Sequence, residues 1–381
     1  MVKILDQNIQ DYINANLNTD LHALLLKKSP FPEVSMHEIV QQIKGKQVAR
    51  KKFPFLLKEG IVFPPQLNLE QSSSEKTALY KSKLLEGDKF IDLTAGFAID
   101  AYYLSENFHE ITLVEQNQDL LEIVRNNWNV LGKKAKFINQ KLENFLQENK
   151  DFFDVIYLDP ARRDNNKNKV FLLEDLSPDI LSIQDTLVSS AHKVVIKLSP
   201  LIDLKYLVSV LPGVFRIDII AVKNDVKEIV VFLAKGQSDA VTCNCINLES
   251  DEPVFDFRYG EEENAGVQYG EPEKYIYIPN NTLLKAGVFN LISQKTGLKK
   301  LHPNTHIYTS DSRISNFPGR IFEMEIIDAK KIKKKSQYNI IAKNYPLKPE
   351  ELKKKYSIKD GGENYLIFTQ SKKGKIILKS V

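Results

Sequence analysis

The chain first spaces its apolar residues as a helix does. Ile9, Tyr12 and Ile13, and later Ile39, Val40 and Ile43, recur at intervals of three and four over the first 65 or so residues, with almost no strand-like run among them. This predicts a helical N-terminal lobe ending in a basic stretch, Lys44, Lys46, Arg50, Lys51 and Lys52. From Lys89 the pattern changes to short β-branched runs separated by helix-length segments, the mark of a parallel sheet with helices on both faces. Strands are predicted at 90–93, 111–115, 136–138, 155–159, 194–198, 216–222 and 228–233. Gly132 closes the helix that holds Leu120, Ile123 and Val124, and Ser177-Pro178 is read as an N-cap with proline in the first turn of another helix. Only residues 223–227 separate the last two strands, too few for a crossover helix, so an antiparallel hairpin is expected there. Residues 251–273 read as loops on short strands, and a mixed α/β tail follows from about Tyr275.

Charge sharpens this outline. The net charge of +4 over 381 residues conceals three populations. Residues 1–236 carry 30 basic and 31 acidic side chains, 237–280 carry 2 and 10, and 281–381 carry 21 and 8. The last hundred residues therefore form a basic module able to attract a polyanion. No apolar run approaches the ~20 residues of a membrane span, and no charged segment followed by an apolar one opens the chain, so a cytoplasmic protein that does not enter a membrane is expected. Cys243 and Cys245 are one residue apart, poorly placed to pair with each other and too few for a zinc site. They read as reduced strand or core thiols, and no metal is expected.

The first sheet strand runs into Asp92-Leu93-Thr94-Ala95-Gly96-Phe97-Ala98-Ile99-Asp100 and then a helix, the layout of a cofactor-binding turn at the carboxyl edge of a sheet. A dinucleotide would want three glycines and an uncluttered helix N-terminus for its pyrophosphate. Here there is one glycine, and Asp92 would repel phosphate. S-adenosylmethionine (SAM) has no phosphate, and its ammonium and sulfonium are matched by a carboxylate. Glu115 ends the second strand 23 positions after Asp92, where a carboxylate can accept both ribose hydroxyls. Thr94, Ala95, Gly96, Phe97 and Gln116 complete the expected cofactor set. No carboxylate at the third strand is obvious as the adenine contact, and Glu143 is the nearest.

The fourth strand runs into Asp159-Pro160-Ala161-Arg162-Arg163. Proline fixes the backbone where the strand opens into the pocket, so that Asp159 and neighbouring carbonyls can orient a methyl acceptor. Asp159, Pro160 and Arg162 are the expected catalytic residues, with Arg163 and Lys197 as substrate contacts. The alternative for Arg162 and Arg163 is a pair of surface arginines bridging to Asp164 or Glu174, and Lys197 is as readily a solvated strand-end lysine. Pyrimidine C5 methylation would need a thiol near this loop, and no cysteine precedes Cys243, which favours a nitrogen acceptor or, failing that, an oxygen.

Four stretches carry a family resemblance: Glu70-Gln71-Ser72-Ser73-Ser74-Glu75, the turn from Asp92 to Asp100, the loop from Asp159 to Arg163, and Asn316-Phe317-Pro318-Gly319-Arg320-Ile321-Phe322. Over nearly its whole length the chain resembles bacterial class I SAM-dependent methyltransferases that have a ferredoxin-like segment and a C-terminal THUMP-like domain. The resemblance implies SAM binding, RNA modification (tRNA or rRNA) and an α/β fold: a Rossmann-like seven-stranded class I core, a helical N-terminal lobe and a small α/β C-terminal domain. It divides the chain into a lobe at 1–78, the core at 79–236, a strand-rich and ferredoxin-like segment at 237–320 and a basic THUMP-like domain at 321–381. Ala161 and Arg162 stand where exocyclic-amine methyltransferases have Pro and an aromatic, which removes that base-stacking platform. Gln71 could touch the cofactor, although Ser72 and Glu75 also fit a capping box. In the tail, Arg320 is expected on a tight turn, with Lys333, Lys334 and Lys335 on the basic surface that meets RNA phosphates. The tyrosines among them read either as core or as base-stacking groups. Two other classes remain open at this stage: a methyltransferase acting on protein or a small molecule, and a non-catalytic RNA-binding protein with a vestigial core.

Overall fold

The computed structural model describes residues 2–162, 172–236 and 240–381. The chain divides into two compact units, Met1–Phe215 with Ile229–Asp239, and Arg216–Glu228 with Ala240–Val381. Among the described residues no helix is long and apolar enough to cross a membrane.

The first unit opens with helices α1 (Gln7–Ala15), α2 (Leu21–Leu25) and α3 (Met36–Lys52), each begun by a side chain that accepts a backbone N–H: Asp6, Asp20 and Ser35. At Ser35 the reciprocal bond to Glu38 completes a capping box. Ile9, Ile13, Leu24, Ile39, Val40 and Ile43 bury together as the lobe's core. Lys52, from the basic stretch, donates to the carbonyls of Leu69 (3.0 Å), Glu70 (3.1 Å) and Ser72 at the end of α4 (Gln66–Gln71). A cation on these otherwise unsatisfied carbonyls pins the end of α4, and with it the serines that follow.

Helix α5 (Glu75–Ser82) is capped by Ser74, whose side chain accepts from Thr77 N–H at 3.3 Å. The expected box between Ser72 and Glu75 does not form. Ser72 terminates α4, its hydroxyl donates to Asn68 O at 2.6 Å, and Glu75 instead accepts the Tyr103 hydroxyl at 3.0 Å. With three serines in a row, the cap is whichever one immediately precedes the first helical residue.

The core follows as β1 (Lys89–Asp92), α6 (Ile99–Leu104), β2 (Glu110–Glu115), α7 (Gln118–Val130), β3 (Lys136–Asn139), α8 (Leu142–Glu148), β4 (Phe153–Leu158), β5 (Ala161–Arg162), β6 (Leu176–Ser177), α9 (Ile180–Ser190), β7 (Ala191–Leu198), α10 (Leu204–Val210), β8 (Val214–Val222) and β9 (Asp225–Leu233). In the first unit the strand order is β9-β7-β4-β1-β2-β3, parallel except for β9 against β7. The order reverses between β1 and β4, which puts a crevice at their carboxyl ends. Gly132, at φ +74°, ends α7 as expected. The cap of α9 is not Ser177 but Asp179, which accepts from Leu181 and Ser182; Ser177 pairs in β6 and precedes a cis proline. Lys223 and Asn224, both at positive φ, make the two-residue turn of the expected hairpin, whose tip belongs to the second unit.

In the second unit β8 is joined by a parallel β10 (Thr242–Leu248), and β10 by an antiparallel β11 (Phe255–Arg258), two strands more than the seven expected. Cys243 and Cys245 share one buried face of β10 as free thiols. The unit continues through β12 (Tyr275–Pro279), α11 (Asn281–Ala286), α12 (Phe289–Thr296), β13 (Lys299–His302), β14 (Thr305–Ser310), β15 (Gly319–Ile326), β16 (Gln337–Ala342), α13 (Pro349–Tyr356), β17 (Lys359–Ser371) and β18 (Gly374–Ser380). A sheet ordered β13-β14-β12-β15-β18-β17-β16 runs through this segment, so the small C-terminal domain is α/β as expected. At Gly319 a Cβ would lie 2.2 Å from Ile278 O, so only glycine lets β15 approach β12 this closely.

Candidate active site

The carboxyl ends of β1, β2 and β4 open into a cleft of about 410 Å³. Sheet register sets its frame: Asp92 lies opposite Leu113 of β2 and Tyr157 of β4, and Glu115 opposite Asn139. The chain leaving β1 stays tied to its neighbours, Leu93 N–H donating to Tyr157 O and Ala95 N–H to Val114 O, both at 3.0 Å. Gly96 then adopts φ +52°, a left-handed turn that glycine allows without strain, and its N–H donates to Glu115 Oε2 at 2.9 Å. Asn117 N–H donates to Glu115 Oε1 at 2.8 Å. Each Glu115 oxygen thus has one lone pair fixed by backbone and another available, which aims the carboxylate without exhausting it.

Asp92 is 2% exposed and accepts from Thr94 N–H at 2.9 Å. Burial pushes its carboxyl well above the ordinary range, against the Thr94 bond, and the nearby carboxylates Asp100, Asp159 and Glu115 push the same way. Thr94 also fixes the fourth strand's loop, accepting Asp159 N–H at 2.6 Å on its hydroxyl.

All of Asp92, Thr94, Ala95, Gly96, Phe97, Glu115, Gln116 and Glu143 line the cleft, as does Asp159. Gln71 sits in the last turn of α4, with Asn68 and Ser72 from the same segment in the wall. Pro160 and Arg162 flank Ala161, which also lines the cleft; Arg162 is the last residue of β5. Arg163 lies outside the described residues. Arg320 on β15 and Lys333, Lys334 and Lys335 are exposed residues of the second unit.

Lys197 departs from expectation. It does not reach outward for a phosphate: it is 8% exposed and its ammonium contacts Asp159 Oδ2, Ser73 Oγ (2.9 Å) and Asp100 Oδ2 (3.4 Å). A lysine this deep must be paired, and its carboxylate partners Asp100 and Asp159 both line the cleft. Asp100 is held in turn by Lys81 Nζ (2.8 Å), the Ser73 hydroxyl (2.6 Å) and the Tyr157 hydroxyl (2.8 Å). Burial works to raise the Asp100 carboxyl, but Lys81 and Lys197 outweigh it and hold it below the usual carboxylate range. The roles of Ser73, Lys81 and Tyr157 in this cluster were not anticipated. The one sequence signal was Lys81 on the same helical face as Thr77 and Ala78, a charge where α5 turns inward.

The cleft's chemistry can be tested against SAM. Among the described residues its lining carries Asp92, Asp100, Glu115, Glu143 and Asp159 against one lining cation, Lys141. That donor set suits a phosphate-free ligand with cationic centres and ribose hydroxyls, and repels a pyrophosphate.

Comparison with known proteins agrees. Family models match three stretches: Conserved hypothetical protein 95 at residues 75–191, a ferredoxin-like domain at 275–318 and a THUMP domain-like region at 319–379. The crystal structure of a "putative methyltransferase" from Porphyromonas gingivalis W83 superposes with a TM-score of 0.87 at 30% identity, covering 99% of this chain and 97% of that one. An uncharacterized RNA methyltransferase of Mycoplasma mobile is 29% identical over 126 residues, 31% of this chain; the match spans about a third (34%) of that curated relative's length. Fold and site therefore define a class I methyltransferase whose cofactor is SAM. More particularly, the chain belongs to the bacterial family of such enzymes that have a ferredoxin-like segment and a C-terminal THUMP-like domain.

Proposed function

We propose that this enzyme methylates a base nitrogen of a structured RNA, a tRNA or an rRNA. The observation that carries the reading is the split of charge: an acidic cleft in one unit, and in residues 281–381 of the other an excess of 21 basic over 8 acidic side chains. The relative in Mycoplasma mobile, which is named an RNA methyltransferase and shares 126 residues with this chain, supports it. In this reading residues 79–236 perform the chemistry, residues 1–78 close the cofactor side, and 237–320 with 321–381 hold the RNA.

Bound SAM supplies an electrophilic methyl carbon on its sulfonium. Glu115 would accept the ribose hydroxyls, while Asp92 and the turn from Thr94 to Phe97 would hold the amino-acid end. Gln116 and Glu143 would border the adenosine, with Gln71, whose side chain lies outside the described residues, kept as a further candidate contact. Asp159, Pro160 and Arg162 form the acceptor wall, where the Asp159 carboxylate takes a hydrogen bond from the acceptor N–H and orients its lone pair. Arg320 and Lys333, Lys334 and Lys335 would contact phosphates, and Arg163 is kept as a candidate substrate contact. A thiol route is disfavoured because the chain's two cysteines are buried on β10, where burial pushes the Cys243 thiol up to about 12 and Cys245 up as well.

The test incubates the purified chain with methyl-labelled SAM and total bacterial RNA, then digests to nucleosides. Label in an N-methylated nucleoside is expected, with Asp159→Asn slower by about a hundred-fold. Label that resists nuclease and follows protein or a small metabolite would overturn the RNA reading and favour a different acceptor.

A further inference from the structure

We propose that Lys197 is a positioning residue: it holds Asp159 ionised and oriented at the acceptor wall, and is itself anchored from behind by Asp100 and Ser73. The inference rests on Asp159 being that wall. An ammonium has three donors, and here Asp159, Ser73 and Asp100 each receive a contact. Their fixity comes from elsewhere. Asp100, from α6, is clamped by Lys81 of α5 and the Tyr157 hydroxyl of β4, and Ser73 donates to the same carboxylate. Asp159 is fixed at its backbone by Thr94, while 34% of its side-chain surface stays open. A frame built from five separate elements thus converges on one carboxylate at the cleft.

Among the described residues, the charges facing Asp159 are Lys197 from β7, Lys81 from α5, Asp100 from α6 and Asp92 from β1. Two lysines meet three carboxylates, and burial favours the neutral form of Asp92, so Asp100 and Asp159 are the pair the lysines balance. Desolvation raises the Asp159 carboxyl above its usual value and Lys197 is the largest influence opposing it. Without Lys197, that carboxyl rises further, its neutral fraction near neutral pH grows, and a neutral Asp159 no longer serves as a pure acceptor for the substrate N–H.

A cation entering the cleft favours the carboxylate and expels any proton on it. The protons released when SAM binds come from every cleft carboxyl that is neutral beforehand, Asp92 included, so the state of Asp159 is read as the difference between variants, without any acceptor present. The number released is obtained by calorimetry in two buffers of different ionisation enthalpy. Lys197→Met should release an additional fraction of a proton per SAM near neutral pH, Lys197→Arg should match the wild type, and Asp159→Asn combined with Lys197→Met should lose the extra release. Equal release from Lys197→Met and wild type overturns the proposal, as does extra release that survives in the double variant, which would trace it to another carboxyl. If Lys197→Met does not fold, Lys197→Gln, which removes the charge and keeps a hydrogen-bond donor, takes its place: it should also release more than the wild type, and release equal to the wild type overturns the proposal. No RNA enters the measurement, so its outcome is separate from that of the RNA reading.

Discussion

Charge is handled in opposite ways at the cleft of the first unit and on the basic surface of the second. In the first, the residues that matter are interior: Lys81 at 1% exposure, Asp92, Asp100 and Lys197 are buried and bound to partners drawn from several elements. Interior charge costs several kcal/mol per ion to desolvate, so it persists only where geometry is fixed, and a fixed dipolar surface suits a reacting group. In the second unit the lysines at 333, 334 and 335 stand exposed, hydrated and screened by salt. Such charge attracts a polyanion without imposing one geometry. The contrast separates chemistry, which needs preorganised charge, from capture, which needs only its sign and density.

The strongest way to break the contrast is to orphan a buried ion. Lys81→Met should cost about 3–5 kcal/mol, because Asp100 loses its closest cation in a dry site. Thermal and urea unfolding would register it, and stability equal to the wild type would mean that these charges are not part of the frame. Next in size, Glu115→Ala should weaken SAM binding on the order of a hundred-fold, from two hydrogen bonds to a charged acceptor at about 1.5 kcal/mol each, and Asp92→Ala should also weaken it. Unchanged affinity in both variants, with folding intact, would remove the pocket. Smallest in stability, and the sharpest test of the other unit, is the triple replacement of Lys333, Lys334 and Lys335 by Gln. Unfolding should move by less than about 0.5 kcal/mol. The slope of RNA affinity against salt should instead fall by about 2, at ~0.7 per neutralised phosphate on single strands. An unaltered slope would assign RNA capture to another surface.

The amino-acid sequence by itself determined the features that are local. Alternation and β-branched runs located the strands of the core, the spacing from Asp92 to Glu115 placed two carboxylates at adjacent strand ends, and one glycine in that turn argued for SAM over a dinucleotide. These follow from near neighbours, whose geometry is set by backbone periodicity. Segment charge likewise needed only counting. Cap assignment lay at the margin, since Ser72, Ser73 and Ser74 are equivalent until the end of α4 is known. Tertiary structure alone decided the fate of Lys197. As a strand-end lysine it could have been solvated, but its partner Ser73 lies 124 positions earlier and Asp100 lies 97 earlier. No pattern along the chain encodes that meeting. It arises because β1, β4 and β7 are neighbours in space, with α5 and α6 packed together, and burial then leaves each ion no partner but the one the fold supplies.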